Sequence, residues 1–481
     1  MTLSLFDLPA EDTPLRLAEV SPEVRRIEAL DEQLERQFES RLVTDSRLSR
    51  RAVSFQSSKT LPRARWFKFK EAFSPLLVRS LLEEKGVTGT VLDPFAGSGT
   101  TLFAASELGL PSYGIEVLPI GCALVAARLT LEREFLPADF ARLRAWRDEK
   151  IWRATSLRVP LTMLRITDGA YPPETLDGIE RFVGAMVCES ERVALALEMV
   201  LLCVLESVSW TRKDGQYLRW DARAGRRIGA KPFDKGRVLP FDEAVCCKID
   251  EVLNDCLGNT SFLPEEIQTP QAPINLFAGS CLEQLPQMQS ESCGAIVTSP
   301  PYCNRYDYTR TYALELALLG VSGEELVALR QQMLSCTVEN RAKDLLAMNP
   351  RWSLALDATR ECELLEAIND YLENQRVEGH LNNTGIARMV RGYFLEMACV
   401  IQEAARLSKP GAPLWMVNDN VRYAGVSISV DLILSSIAER VGLEVEQIAV
   451  LPSAKGNSSQ QMGTHGRSAL RKCVYVWRKP R

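Results

Sequence analysis

The stretch VLDPFAGSGTT (residues 91–101) carries the strongest structural signal in this chain of 481 residues. A short apolar strand pattern, residues 90–93, runs into a turn with two glycines, and a helical pattern follows over 100–109. A second strand pattern comes next, at residues 112–117. Strands that alternate with helices predict a parallel sheet covered on both faces.

The sheet pattern is interrupted twice further along the chain. It resumes at residues 273–280 and 294–302, and again in a terminal block whose last two strands predict an antiparallel hairpin at one edge. The predicted fold is therefore α/β: a Rossmann-like, mostly parallel sheet with an antiparallel edge hairpin and two largely helical insertions. The predicted divisions are a tail and helix (1–65), the first part of the core (66–130), a helical insertion with a basic loop (131–270), the core again (271–320), a second helical insertion (321–393) and the last part of the core (394–481).

Composition excludes several classes of protein. Hydrophobic residues make up 46% of the chain, but no apolar run reaches the roughly 18 residues that span a bilayer. The N-terminal residues lack the basic and apolar regions of a secretory signal. Thirteen cysteines without a CxxC pair, and only two histidines, favour neither a disulfide framework nor a metal site. The sequence predicts a cytoplasmic location.

Charge is unevenly distributed along the chain, although the net charge is only −5. The segment from Arg212 to Arg237 contains nine Lys or Arg residues and only three Asp residues. Seven basic residues and no acidic one follow Glu446. This segregation of charge is compatible with a nucleic-acid partner in spite of the acidic total.

The glycine turn after residue 93 has the placement of a cofactor loop. A glycine-containing turn lets a ligand approach the backbone closely, and the helix that follows presents free N–H groups. Glu116 ends the next strand, where an acid can accept hydrogen bonds from ribose hydroxyls. No lysine follows Gly99, which excludes a Walker phosphate loop, and the missing third glycine disfavours a nicotinamide dehydrogenase.

A second motif, Ser299-Pro300-Pro301-Tyr302, follows the strand pattern GAIVT and so lies at the carboxyl end of a strand, where α/β sheets place ligands. Pro300 and Pro301 stiffen the backbone and lack N–H groups, leaving carbonyl oxygens as acceptors. Oxygen acceptors on the hydrogens of a base amino group turn the nitrogen lone pair toward a methyl donor. The Ser299 hydroxyl and the Pro300 carbonyl supply such acceptors, and Tyr302 offers a stacking surface for an extruded base.

Together, VLDPFAGSGTT and SPPY resemble the motifs of amino-methylating DNA methyltransferases, over about two-fifths of the chain. The resemblance implies a class I methyltransferase fold, S-adenosyl-L-methionine as cofactor and a catalytic role for all four residues of the tetrad. It also implies cofactor contacts from the loop and its surroundings. The positions that correspond are Phe73, Ser74, Asp93, Pro94, Phe95, Gly97, Gly99, Thr100 and Glu116, with Ser280 near the adenine.

The resemblance favours N4 of cytosine as the methylated atom, because Ser at the first tetrad position is more typical of those enzymes. Asp or Asn there is more typical of adenine N6 enzymes, so adenine remains an alternative. A cytosine carbon-5 enzyme is excluded, because it needs a Pro-Cys nucleophile and Cys303 follows Tyr302 instead. Methylation of an RNA amino group and an inactive nucleic-acid-binding subunit also stay open.

Double-stranded DNA is the expected partner, with a cognate restriction endonuclease or a defence-system subunit as a further one. The basic loop between residues 212 and 237 is predicted to contact DNA, and Tyr217 and Trp220 to stack or wedge. The second insertion competes for this role with Arg305, Arg310, Arg388 and Arg391. The segment 418–420 is expected to border the target pocket. The predicted DNA contacts are Arg212, Lys213, Arg226, Arg227, Arg305, Lys455 and Arg467.

Overall fold

A computed structural model describes residues 21–49, 51–70, 72–214, 217–226, 232–258, 271–452 and 470–481. The strands are β1 (Leu42–Thr44), β2 (Thr90–Asp93), β3 (Ser112–Glu116), β4 (Thr211–Asp214), β5 (Tyr217–Trp220), β6 (Ile274–Ala278), β7 (Cys293–Thr298), β8 (Pro413–Asp419), β9 (Val421–Tyr423), β10 (Val426–Ile428), β11 (Glu444–Val450) and β12 (Lys472–Arg478). The helices are α1 (Pro22–Phe38), α2 (Pro75–Glu84), α3 (Thr100–Glu107), α4 (Pro119–Arg133), α5 (Pro137–Glu149), α6 (Pro173–Met186), α7 (Glu191–Val208), α8 (Phe241–Leu257), α9 (Cys281–Gln284), α10 (Tyr308–Thr311), α11 (Ala313–Leu318), α12 (Gly323–Gln332), α13 (Leu345–Met348), α14 (Ser353–Arg360), α15 (Glu363–Val377), α16 (Ile386–Leu407) and α17 (Val430–Arg440).

Eight strands form one sheet, in the order β1-β11-β12-β8-β7-β2-β3-β6. Only β12 runs antiparallel to its neighbours, β11 and β8; the other pairings are parallel. Successive residues of the central strands pack on opposite faces, Val91 with α2 and α3, and Leu92 with α16 and α17. This architecture confirms the predicted α/β, Rossmann-like class with a mostly parallel sheet.

The centre of the sheet decides where a ligand can lie. From β2 the chain continues to β3 on one side, while β7 and β8 extend the sheet on the other. In open α/β sheets such a reversal of strand order leaves a crevice at the carboxyl ends of the two strands. The glycine turn leaves β2 and the tetrad leaves β7, so both motifs meet at this crevice.

The N-terminal region differs from its prediction. The charge-rich, Leu-spaced stretch from about Pro22 to Arg51 predicts a helix capped by Ser21. The helix α1 does begin at Pro22 with Ser21 as its cap, but it ends at Phe38. The chain then forms β1, which pairs in parallel with β11. Branched Val43 and Thr44 suit an extended edge position better than another helical turn. As a result, the β11–β12 hairpin is covered on its outer side and is not the edge of the sheet.

The first insertion shares an apolar cluster with α4 and with the segment after the tetrad. Helices α5 to α8 pack around a group of aromatic rings, in which Trp146 and Trp152 stack at 6.0 Å and Phe182 meets Trp146 edge-on at 4.8 Å. The segment after residue 210, predicted as a loop, contains the antiparallel hairpin of β4 and β5. In the part of the chain described, no helix is both long and apolar enough to cross a membrane.

Gly294 gives a test of how tightly the central strands approach each other. A Cβ built on Gly294 would overlap the backbone carbonyl of Thr88, the segment that leads into β2. We expect Gly294→Ala to lower the free energy of unfolding by about 1–3 kcal/mol, because backbone must move to admit the methyl group. Urea unfolding followed by circular dichroism measures this change.

The matched control is Gly323→Ala at the start of α12, where an added Cβ meets no atom within 4 Å. Its stability should be unchanged or raised by up to about 1 kcal/mol. Equal stability of the two variants would contradict the close approach at Gly294.

Candidate active site

Two glycines and one acidic residue determine the conformation of the turn after β2. Gly97 and Gly99 have φ angles of 54° and 81°, a region that favours glycine. The Gly97 N–H donates to the Glu116 carboxylate at 2.6 Å, and the Leu118 N–H donates to its other oxygen at 2.7 Å. Glu116, at the end of β3, thus fixes both the glycine turn and the start of the next loop.

Asp93 links the two central strands. Its Oδ1 accepts hydrogen bonds from the Thr298 hydroxyl at 2.6 Å and from the Phe95 N–H at 3.0 Å. Thr298 is the last residue of β7, directly before the tetrad. The side chain of Asp93 is buried, so this bond sets the distance between the glycine turn and the tetrad.

Both acids are less acidic than usual. Burial raises the pKa of Asp93 to about 6, against the opposing hydrogen bonds from Thr298 and Thr101. Burial likewise raises the pKa of Glu116 to about 7, although the N–H groups of Leu118 and Gly97 favour its charged form. A ligand that donates hydrogen bonds to Glu116 would stabilise the carboxylate.

A cavity lies at the carboxyl ends of β2, β3 and β7, the edge where α/β sheets place ligands. Seven of the predicted cofactor residues line it: Phe73, Pro94, Phe95, Gly97, Thr100, Glu116 and Ser280. Ser299 and Pro301 of the tetrad line the same cavity, which therefore joins the two motifs in one space.

Three predicted cofactor residues lie behind the cavity wall and do not line the cavity. Ser74 caps α2, where its hydroxyl accepts a hydrogen bond from the Leu76 N–H at 3.2 Å. Gly99 begins α3, and an added Cβ there would lie 2.9 Å from Val125. Asp93 binds Thr298 as described, so none of the three reaches the cavity wall.

The tetrad presents its serine oxygen to the cavity. Ser299 Oγ lies 3.3 Å from the Val417 carbonyl oxygen on β8 and 3.4 Å from the Tyr302 hydroxyl. A carbonyl oxygen can only accept, so a Ser299 hydroxyl that donates to Val417 keeps its lone pairs for a ligand. Burial raises the pKa of Tyr302, which keeps its hydroxyl neutral.

Beside Gly97 the cavity is lined by Phe69, the first ring of an aromatic stack. Phe69 packs against Gly97 and stacks on Tyr312 with ring centroids 5.0 Å apart. The ammonium of Lys213 lies 4.7 Å from the Tyr312 ring and 4.9 Å from the Phe67 ring. Phe69 was not predicted as a site residue; its only signal in the sequence is its place in the basic-aromatic segment RARWFKFK, residues 63–70.

Lys213 is a correction to the predicted DNA contacts. Its side chain is buried and forms an ion pair with Glu315, which is 0% exposed. Its backbone carbonyl also accepts a bond from the Lys70 ammonium. A cation enclosed in this way is unavailable to phosphate. Lys213 therefore holds the β4–β5 hairpin to the rest of the protein and does not contact DNA.

The other predicted DNA contacts have different surroundings. Arg212 is exposed on β4. Arg226 lies 4.3 Å above Trp220 and donates to the Arg165 carbonyl, and Trp220 is 5% exposed, which rules it out as a wedge. Arg305, three residues after the tetrad, donates to Asn382 at 3.2 Å. Three predicted contacts lie outside the described residues: Arg227, Lys455 and Arg467.

The second insertion closes the remaining side of the cavity, which sequence reasoning did not foresee. Gln332, Met333 and Leu334, at and after the end of α12, line it together with Tyr308. Two of its predicted cations bind the protein itself. Arg310 pairs with Asp307 and Glu339, and Arg388 donates to backbone carbonyls at residues 338 and 340.

Comparison with known proteins agrees with this site. A family model described as "DNA methylase", of N6 and N4 type, matches residues 47–124, which include the glycine turn. The chain is 54% identical over 462 residues to the Type II methyltransferase M.AvaI of Nostoc sp. (strain PCC 7120), covering 95% of each protein. It is 37% identical over 519 residues to the Type II methyltransferase M.BsoBI of Geobacillus stearothermophilus, covering 99% of each.

The buried pair beside the ring stack can be tested by its effect on stability. Lys213→Met leaves Glu315 without its partner in a buried place, and we expect a loss of about 3–5 kcal/mol in the free energy of unfolding. Replacing both residues, as Lys213→Met with Glu315→Leu, should restore most of that loss, because no unpaired charge remains. Denaturant unfolding of the purified variants measures both effects.

Arg212→Met serves as control on the exposed neighbour and should change stability by no more than about 0.5 kcal/mol. A loss of the same size in the double variant as in Lys213→Met would show that the pair stabilises through more than mutual charge compensation.

Proposed function

This chain belongs to the amino-methylating DNA methyltransferases, and from that premise we propose that it methylates N4 of cytosine within a short specific sequence of double-stranded DNA. The observation that carries the proposal is the single cavity shared by the glycine turn, Glu116 and Ser299. In this cavity the space for a methyl donor adjoins the Ser299 oxygen that would orient the acceptor amino group. Ser at the first tetrad position supports cytosine over adenine.

The residues of the cavity fit S-adenosyl-L-methionine. Gly97 leaves room where a Cβ would come within 3.2 Å of Phe69, and Glu116 has unused lone pairs on both carboxylate oxygens for ribose hydroxyls. Apolar walls from Phe73, Phe95 and Leu118 suit an adenine ring and a thioether chain. When bound, this cofactor supplies an electrophilic methyl group.

The tetrad orients the acceptor amino group. Its two hydrogens are bound by Ser299 Oγ and by the Pro300 carbonyl, which turns the nitrogen lone pair away from these acceptors and toward the glycine turn. The backbone of two consecutive prolines holds the acceptors in place, which limits the reorganisation needed during reaction. Tyr302 provides the surface on which the extruded base stacks.

Recognition of DNA is proposed for the first insertion and for basic residues after the tetrad and near the C-terminus. We propose that the first insertion, residues 131–270, reads the target with Arg212, Arg226 and Arg227, and that Arg305 contacts the strand near the extruded base. Lys455 and Arg467 are proposed as further phosphate contacts. The similarity to Type II methyltransferases supports a restriction-modification role. We propose a cognate endonuclease as partner and the cytoplasm as location.

The first experiment is expression of the chain followed by mass spectrometry of nucleosides from host DNA. We expect N4-methylcytosine, and its loss in Ser299→Ala, because that variant lacks one acceptor for the amino hydrogens. N6-methyladenine in its place would keep the tetrad's role and overturn cytosine as the target. A mark confined to host RNA would contradict DNA as the substrate.

Cofactor binding separates the two motifs. Titration calorimetry with S-adenosylhomocysteine should give an unchanged Kd for Ser299→Ala. It should give at least tenfold weaker binding for Gly97→Val, whose side chain meets Phe69 in a left-handed backbone position. Equal binding by both variants would place the cofactor elsewhere.

The raised pKa of Glu116 predicts how cofactor binding depends on pH. Ribose hydroxyls favour the carboxylate, so binding lowers a pKa that is about 7 in the free protein. Affinity for S-adenosylhomocysteine should therefore rise with pH up to about 7 and level off above it. Each unit by which binding lowers the pKa corresponds to about tenfold between the two extremes.

Calorimetry between pH 5.5 and 8.5 measures the profile, and Glu116→Gln, which cannot ionise, is the matched variant. It should bind more weakly and with a flatter pH dependence. The same rise in both proteins would assign the titration to another group.

A further inference from the structure

Beside the tetrad lies an ion pair whose two residues belong to neither the glycine turn nor the tetrad. Asp419 ends β8 and Lys472 begins β12, and the two residues are directly opposite in the antiparallel register. Their side chains meet at 3.1 Å, with 36% and 26% of their surfaces exposed. The pair therefore stands at the rim of the sheet, open to a ligand, and not inside the core.

The ammonium of Lys472 reaches the tetrad itself. It lies 5.3 Å from the centroid of the Tyr302 ring, and the Tyr302 hydroxyl is 3.4 Å from Ser299 Oγ. Ser299 in turn contacts the Val417 carbonyl, two residues before Asp419 on the same strand. Four side chains thus form one patch, which we call the target patch: Ser299, Tyr302, Asp419 and Lys472.

An extruded base brings an unsatisfied acceptor into this patch. In the duplex, the ring nitrogen next to the amino group, N3 of cytosine or N1 of adenine, accepts a hydrogen bond from the opposite base. Extrusion breaks that bond, and a buried acceptor without a partner weakens binding. Ser299 and the Pro300 carbonyl offer only acceptors to the amino group, so the ring nitrogen needs a separate donor.

We propose that Lys472 is a base-recognition residue: its ammonium donates a hydrogen bond to the ring nitrogen adjacent to the amino group of a base stacked on Tyr302, and Asp419 holds it there. This assignment rests on the proposed function. An ammonium carries three N–H groups, so Lys472 can serve a base while it remains bound to Asp419 and close to Tyr302.

The charge of Lys472 suits this task. Burial opposes the charge, but Tyr302 and Asp419 outweigh burial and raise the pKa of the ammonium above its usual value. Lys472 therefore donates a hydrogen bond without giving up its proton. Full protonation of the ring nitrogen would withdraw electrons from the amino group and make it a poorer nucleophile. Asp419 also compensates the positive charge near the reacting nitrogen.

The same donor discriminates between bases. Cytosine and adenine present an acceptor beside their amino group, whereas thymine and guanine present an N–H beside a carbonyl oxygen. An ammonium opposite that N–H places two donors against each other. Lys472 would thus reject the bases that carry no amino group at this position, independently of the contacts that read the surrounding sequence.

The test pairs a change in the protein with a change in the base. The methylated site is first mapped in host DNA, and duplexes are made with the target base or with its deaza analogue, in which the ring nitrogen is C–H (3-deazacytosine or 1-deazaadenine). We measure kcat/KM for methylation and Kd for DNA binding with S-adenosylhomocysteine present, for the unaltered protein and for Lys472→Met. Both constants should worsen about tenfold or more with either change alone, and little further with both together.

Controls separate recognition from folding and from the proposed function. Arg478→Met removes an ion-paired cation at the other end of β12 and should keep the full tenfold response to the analogue. Lys472→Met combined with Asp419→Asn leaves no unpaired charge, and it should show the same insensitivity to the analogue as Lys472→Met. S-adenosylhomocysteine affinity should be unchanged in all variants.

Two results would overturn the assignment. In the first, Lys472→Met methylates like the unaltered protein. In the second, it is impaired but still loses tenfold with the deaza analogue, which would make the pair structural only. If the unaltered protein leaves no methylated base in DNA, the proposed function itself fails and the assignment fails with it.

Discussion

The hydrogen bond between Thr298 and Asp93 is the contact on which the site depends. It joins the carboxyl ends of β7 and β2 at 2.6 Å, and both side chains are almost fully shielded from solvent. The glycine turn begins directly after Asp93, and the tetrad begins directly after Thr298. A fixed distance between these two residues therefore fixes where a methyl donor and an acceptor amino group can meet. Glu116, on the neighbouring strand β3, fixes the glycine turn from another direction by accepting a hydrogen bond from the Gly97 N–H.

Around this hydrogen bond, several buried polar side chains each have a bonded partner. Asp93 has Thr298, Glu315 has Lys213, and Asp431, which is fully buried, has Arg471. Buried charges persist in proteins when a partner and hydrogen bonds compensate the loss of water. Each pair also joins segments that are distant in sequence, so the enclosed charges tie the insertions and the C-terminal strands to the sheet.

The local elements of the site could be predicted from sequence, whereas the contacts between distant segments could not. The strand, turn and helix around Gly97 follow from apolar and glycine patterns that span a dozen residues, and the position of the tetrad after β7 follows in the same way. Lys213 was expected on the DNA because nearby residues are basic, but its environment is set by Glu315, about a hundred residues later. Lys472 was only one of seven basic residues after Glu446, because its place beside Tyr302 arises from the pairing of β12 with β8. The strand β1 was missed because three residues are too few for a pattern.

The pair of Lys213 and Glu315 also bears on how this protein could be re-engineered. The cation comes from the first insertion and the acid from the segment after the tetrad, so the insertion is not an independent module. A graft that exchanges the insertion for that of another methyltransferase would carry a foreign residue to the position opposite Glu315. Unless that residue is also cationic, the acid must be exchanged in the same step. The boundaries of a working chimera are therefore set by this contact and not by the ends of the insertion.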